Sequence, residues 1–289
     1  RMIRSDLRKL EETREVSIEL GLISEADGSA EVQAARPVES ITKPGTKVVA
    51  SVSGPTQPRF SRHELYDRAS IDFQLDIAVP GVTATSWSTA DLYTRKKCLI
   101  KFLRNVLTPC IRLEDFPRML IVFNVFVSSS DGAEMGMTLN TCLLALLDAS
   151  IPLHYIPCAA SLCSSISPSV PVSIATTSTM AKNETEITQI LLDPTREEEE
   201  NSRSVYTIVY CFGSTGSIRN SSGEMDITTS NSDTCTGNTS LNQSAVIACE
   251  CSGRFAQADL PTIFQLADKA AQAHYQSIRH VIEAKLDIR

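Results

Sequence analysis

Residues 118–153, RMLIVFNVFVSSSDGAEMGMTLNTCLLALLDASIPL, constrain the fold more than any other stretch of the chain. The first twelve are strongly apolar and read as a long strand buried on both faces. Asp131-Gly132 then turns the chain. Gly136–Pro152 follows as a helix apolar almost all round, so it belongs in the centre of the molecule.

The flanking segments supply the rest. VSIELGLISEADGSAEVQ alternates apolar and polar residues around Ala26-Asp27-Gly28-Ser29, and Asp-Gly between alternating segments is a hairpin signal. TKVVASVSGP reads as a strand ending at Gly54-Pro55. In SIDFQLDIAV, Ile71, Phe73, Leu75 and Ile77 take one face, and Asp72, Gln74 and Asp76 the other. STADLYTRKKCLIKFLRNVL reads as a helix capped by Ser88 or Thr89, with a stripe of Leu92, Leu99, Phe102, Leu103 and Val106. LHYIPCAASLC and ITQILLD read as further strands, and RSVYTIVYCF with SAVIACECS as an antiparallel pair. A long helix closes the chain, with Pro261 in its first turn and Phe264, Ala267, Ala271, Tyr275, Ile278 and Ile282 facing the core. Strands come first and then alternate with helices, which predicts a mixed α/β fold in one domain over 16–289. Residues 1–15 read as a charged N-terminal extension.

Three stretches interrupt this order, near 34–45, 164–186 and 213–243. The last has almost no apolar residues, cannot support a core, and is expected to be disordered.

The chain has 289 residues with 27 Lys and Arg against 34 Asp and Glu. A net charge of −7 argues against a free-standing nucleic-acid-binding module, which usually carries a basic face. No apolar run of about 18 residues exists, so no membrane span is expected, and RMIRSDLRKLEETREVS has no apolar signal core. The nine cysteines are odd in number and mostly in apolar segments, so buried reduced thiols of a cytosolic or nuclear protein are expected. Cys249-Glu250-Cys251 lacks a second ligand pair at zinc-finger spacing, and no metal site is expected.

Taken in order, three motifs resemble one family. GLISEADGSAEVQ before TKVVASVSGP, the block FPRMLIVFNVFVSSSDGAEMGMTLNTCLLALLDASIPL, and ILLDPTREEEE are similar to the RNase PH-like ring subunits of the eukaryotic RNA exosome. The resemblance covers roughly residues 16–289 apart from the insertions. It implies the RNase PH fold (ribosomal protein S5 domain 2-like), with mixed sheets packed against helices. It also implies a six-membered ring of RNase PH-like subunits, S1/KH cap subunits, associated exoribonucleases and RNA as partners, and no cofactor. Nucleus, nucleolus and cytoplasm are the implied locations.

Active members of that family cleave RNA with inorganic phosphate. Their phosphate loop follows the Asp-Gly turn with a Gly-Thr-Arg-Thr type sequence, and here the stretch is Asp131-Gly132-Ala133-Glu134-Met135-Gly136-Met137-Thr138. Met135 stands at the arginine position, and Glu134 brings negative charge to where phosphate would sit. One unit-charge repulsion at ~4 Å and an effective dielectric near 20 costs roughly 4 kcal/mol. Active members also place two aspartates six residues apart near the ILLD strand. An ungapped count puts Leu191 and Glu197 there, losing one carboxylate. Glu197 to Glu200 then read as the solvated first turn of a helix, favoured by its dipole. These readings together imply no catalytic residues and a non-catalytic ring subunit that supports RNA processing and degradation by other nucleases. The rival reading is an active phosphate-dependent 3'-to-5' exoribonuclease. Arg95, Lys96, Lys97, Lys101 and Arg104 form a basic patch on the first long helix, either a solvated face or a contact to RNA phosphates in the ring.

Overall fold

The computed structural model describes residues 4, 8–35, 45–58, 64–78, 89–166, 188–213, 244–254 and 257–287. Most of the three expected insertions, and Ser88 of the expected cap of the first long helix, lie outside the described residues, while Thr89 is already the first residue of that helix.

Two sheets enclose one helix. The first sheet contains β1 (Val16–Leu20), β2 (Gly28–Ala34), β3 (Lys47–Thr56), β4 (Ser70–Ile77) and β5 (Leu120–Ser129), in the order β1-β2-β3-β5-β4. All its pairings are antiparallel except β4 with β5. A parallel pair needs a crossover, and α1 (Thr89–Cys110) lies within this one, packed on β4. The second sheet, β6 (Ile156–Ile166), β7 (Thr188–Leu192), β8 (Ser204–Phe212) and β9 (Ala245–Gly253), runs β7-β6-β8-β9 and is antiparallel throughout.

The apolar helix α2 (Glu134–Asp148) touches β2, β3 and β5 on one side and β6 and β8 on the other. That is why so little of its surface is polar: Leu139, Leu143, Leu146 and Cys142 are fully buried. Gly28 permits the close approach of β2, because a Cβ there would stand 2.4 Å from the Ala145 carbonyl oxygen and from the Ala149 amide. Asp148, near the C-terminal end of α2, accepts from the Ser29 amide at 3.0 Å and pairs with Lys285 of the closing helix α4 (Leu260–Asp287). α4 covers β6, β7 and β8, and stacks Tyr275 on Phe212 with ring centroids 4.8 Å apart.

Some expectations need correction. β5 is not buried on both faces: Ile121, Phe123, Val125 and Val127 point inward, while Asn124 and Phe126 are exposed, Phe126 by 45%. Its apolar run misled because nothing in the chain's described residues covers the outer side. The first hairpin does not turn at Asp27-Gly28. A seven-residue connection, 21–27, joins β1 to β2, and Gly28 already pairs with Val52. Asp27 serves the fold differently, accepting from the Gly54 amide at 2.7 Å. Among the described cysteines, Cys98, Cys249 and Cys251 are exposed, while Cys110, Cys142, Cys158, Cys163 and Cys211 are buried and free. No described helix is long and apolar enough to cross a membrane.

Candidate functional site

Two turns meet at the N-terminal end of α2. The β5 strand ends, Ser130–Ala133 turns, and the helix starts at Glu134. From the second sheet, β7 ends, Asp193-Pro194-Thr195 turns, and the short helix α3 (Arg196–Glu200) begins with a capping box between Thr195 and Glu198. The turns touch so closely that a Cβ at Gly132 (φ +82°) would lie 2.4 Å from the Pro194 carbonyl oxygen. Ala133 and Asp193 both hold left-handed backbone, φ 52° and 49°. Two non-glycine residues in that region of φ mark a place where surrounding contacts override local preference.

The contacts are ionic and buried. Asp193 accepts from the Arg14 amide at 2.8 Å, from its Nε at 3.0 Å and from its Nη2 at 2.6 Å. Arg14 also donates to the Asp131 carbonyl at 2.9 Å, tying both turns together. Burial by itself would raise the Asp193 carboxyl, but the hydrogen bonds and charge of Arg14, with the charge of Arg8, outweigh it and hold the group below the usual carboxylate range. Arg4 forks onto Glu198 at 2.9 and 2.8 Å and donates to the Leu192 and Asp193 carbonyls.

Glu199 reaches back to α2 and accepts from the Ala133 amide at 2.7 Å. Ala133 is the N-cap residue of α2 and has no side-chain oxygen of its own. The Glu199 carboxylate therefore takes the position where a helix N-terminus would receive an external anion. Burial pushes this carboxyl up, against the Ala133 hydrogen bond and the charges of Arg14 and Arg95. Glu134 is buried, accepts from the Ser130 hydroxyl at 2.7 Å and pairs with Arg95. Arg95, lowered by burial and by the charge of Arg196, is consumed by these internal partners. Between the site and α4, lined by Ala133, Asp193 and His274, is a void of about 10 Å³, which suffices for about one water.

The basic patch of α1 divides. Arg95 turns inward as described, and Lys96 pairs with Asp76 at 2.8 Å. Lys97, Lys101 and Arg104, at i, i+4 and i+7, share the exposed face of the helix, with the Lys97 ammonium 4.4 Å from the Tyr93 ring centroid. Met135 is half-buried and packs against the core. Glu197 to Glu200 are not uniformly solvated: Glu197 and Glu200 are exposed, whereas Glu198 and Glu199 hold Arg4 and the α2 N-terminus. Leu191 is a core residue and Glu197 faces solvent, while Asp193 and Glu199, two of the three inward carboxylates of this segment with Glu198, are themselves six residues apart. The spacing was present in the sequence two residues further on. The roles of Arg4 and Arg14 were not, because their partners lie more than 170 positions away. Among the described residues no group of three or more His, Cys, Asp or Glu side chains could hold a metal.

A mixed sheet and an antiparallel sheet around a buried helix, with strand-end turns meeting at its N-terminus, form the RNase PH fold. Residues 12–152 match the RNase PH family model, described as 3' exoribonuclease family, domain 1. The chain is similar to the exosome complex component RRP46 of Saccharomyces cerevisiae, 27% identical over 281 residues, covering 95% of this chain and 98% of that one. It is 30% identical to the exosome complex component ski6 of Schizosaccharomyces pombe over 164 residues, 54% of this chain and 60% of that one. The crystal structure of rice (Oryza sativa) Rrp46 superposes with a TM-score of 0.66 at 18% identity, covering 97% of this chain and all of that one. An archaeal exosome core structure gives 0.57 at 16% identity, covering 96% and 91%.

Proposed function

We propose that this chain is a non-catalytic ring subunit of the RNA exosome core. Glu199 carries the reading: its carboxylate closes the α2 N-terminus from within, and Glu134 takes Arg95, so the anion site that phosphorolysis requires is filled by the chain itself. Met135 puts an apolar side chain where the active family members carry an arginine. The subunit is of the Rrp46 type, and the DGSAEVQ turn is most similar to that of the subunit called exosome component five. Its neighbours are other RNase PH-like subunits in a six-membered ring, with S1/KH caps and exoribonucleases attached. RNA passes Lys97, Lys101 and Arg104, with Arg95 and Lys96 serving the fold beside them. The complex works in nucleus, nucleolus and cytoplasm. The exposed outer side of β5, with Phe126, supports a partner-covered surface.

One observation favours the rival phosphorolytic reading: Asp193 and Glu199 keep the six-residue spacing of the family's carboxylates. The test is purification from native extract, identification of co-purifying chains, and an assay of the isolated chain on single-stranded RNA in phosphate. Recovery of other RNase PH-like chains without nucleoside diphosphate release is expected. Phosphate-dependent release that Glu199→Gln abolishes establishes the rival, and a solitary monomer removes the ring.

A further inference from the structure

Cys249 and Cys251 lie two apart on β9, so both side chains project from the same face of the strand. Both are exposed and free. Among the described residues, β9 is an edge strand of the second sheet. The other side is fixed: Cys249 pairs with Ile208 and Cys251 with Tyr206, residues 0% and 1% exposed. The scaffold under the two thiols is thus the most deeply buried part of β8.

Two chemistries are open to adjacent thiols, and backbone geometry separates them. Positions i and i+2 of a strand span about 6.4–6.8 Å between Cα atoms. That is the upper end of the ~4.4–6.8 Å range of disulfides and beyond its usual ~5.5–6 Å. Closing a disulfide would therefore work against the β8 ladder. Two thiolates on one tetrahedral ion, with metal–sulfur bonds of about 2.3 Å, sit roughly 3.8 Å apart, a looser demand that two side chains on one face of a strand can meet with the strand left in place.

We propose that Cys249 and Cys251 form a two-thiolate half-site for a thiophilic d10 cation such as Zn²⁺ or Cd²⁺. Each thiol gives its proton to solvent as its sulfur bonds the ion, so one ion replaces two protons and water fills the remaining positions. The absence of a second ligand pair in the sequence speaks against a closed structural zinc site and leaves this open one untouched. The half-site lies on the opposite sheet from the basic face of α1 and does not depend on the ring assignment.

The probe is Cd²⁺ alone, added to the reduced full chain carrying Cys98→Ser and Cys235→Ser. One ion per chain is expected, with the ultraviolet thiolate-to-cadmium charge-transfer band. Adding Cys249→Ser or Cys251→Ser should weaken binding roughly tenfold or more and reduce the band. No band at one equivalent, or binding indifferent to both substitutions, overturns the proposal. Cadmium NMR of the unsubstituted chain gives an independent reading: a resonance from a two-sulfur environment supports the site, and one from an all-oxygen environment refutes it.

Discussion

Asp193 and Arg14 are 179 residues apart in sequence and 2.6 Å apart in the fold, joined by three hydrogen bonds from one residue to one carboxylate. The pair connects the start of the first sheet to the end of β7 and, through the Asp131 carbonyl, to the turn that opens α2. Removing one partner leaves a buried charge without compensation, so Asp193→Asn or Arg14→Met should each cost about 3–5 kcal/mol. Denaturant unfolding measures this. Arg196→Ala, which removes an exposed pair with Glu200, is the control and should shift stability by no more than about 1 kcal/mol.

Acid should act through the same pair. The folded Asp193 carboxyl is held below its ordinary value, so the unfolded chain binds its proton first as pH falls. Its stabilisation is complete above the ordinary carboxylate range and disappears as pH drops through the depressed folded value. Glu199 has the opposite sign: raised by burial, it contributes most when protonated and loses that contribution as pH climbs through its raised value. Unfolding curves at a series of pH values should show Asp193→Asn removing the acid-side loss, and Glu199→Gln removing a smaller decline just above the usual carboxylate range.

Met135→Arg should not create phosphorolysis. Glu134 keeps its charge and its pairing with Arg95, and Glu199 still holds the Ala133 amide. Inorganic phosphate titrated against this variant should show no saturable binding by calorimetry, and labelled RNA should remain intact.

On α1, replacing Lys97, Lys101 and Arg104 with alanine should leave folding stability within ~0.5 kcal/mol, as these side chains are exposed. If all three meet RNA phosphates, the slope of log affinity against log salt for a single strand should fall by about 2. Arg95→Ala should instead lower the melting temperature, because it strands buried Glu134.

Gly28→Ala probes the packing of α2. Its methyl would press the helix backbone at 2.4 Å, where nothing flexible can give way. A loss of roughly 1–3 kcal/mol is expected in urea unfolding.

Periodicity was enough to place the elements. An apolar helix has only one stable location, between two layers, and α2 lies there. The alternation in β4 and the stripe of α4 were equally legible, because burial of one face imposes its own period on the sequence. What the sequence left open depended on which distant surface arrives. The outer face of β5 looked buried because apolarity records what a surface prefers and says nothing of whether this chain covers it. The row of glutamates looked solvated because composition cannot tell Glu197 from Glu199, which point in different directions from one short turn. Only the meeting of the β5 and β7 turns, with Arg14 between them, decided that Asp193 and Glu199 turn toward the start of α2. Ion pairs across more than a hundred residues leave no local pattern, since their strength comes from burial and geometry that the assembled fold alone supplies.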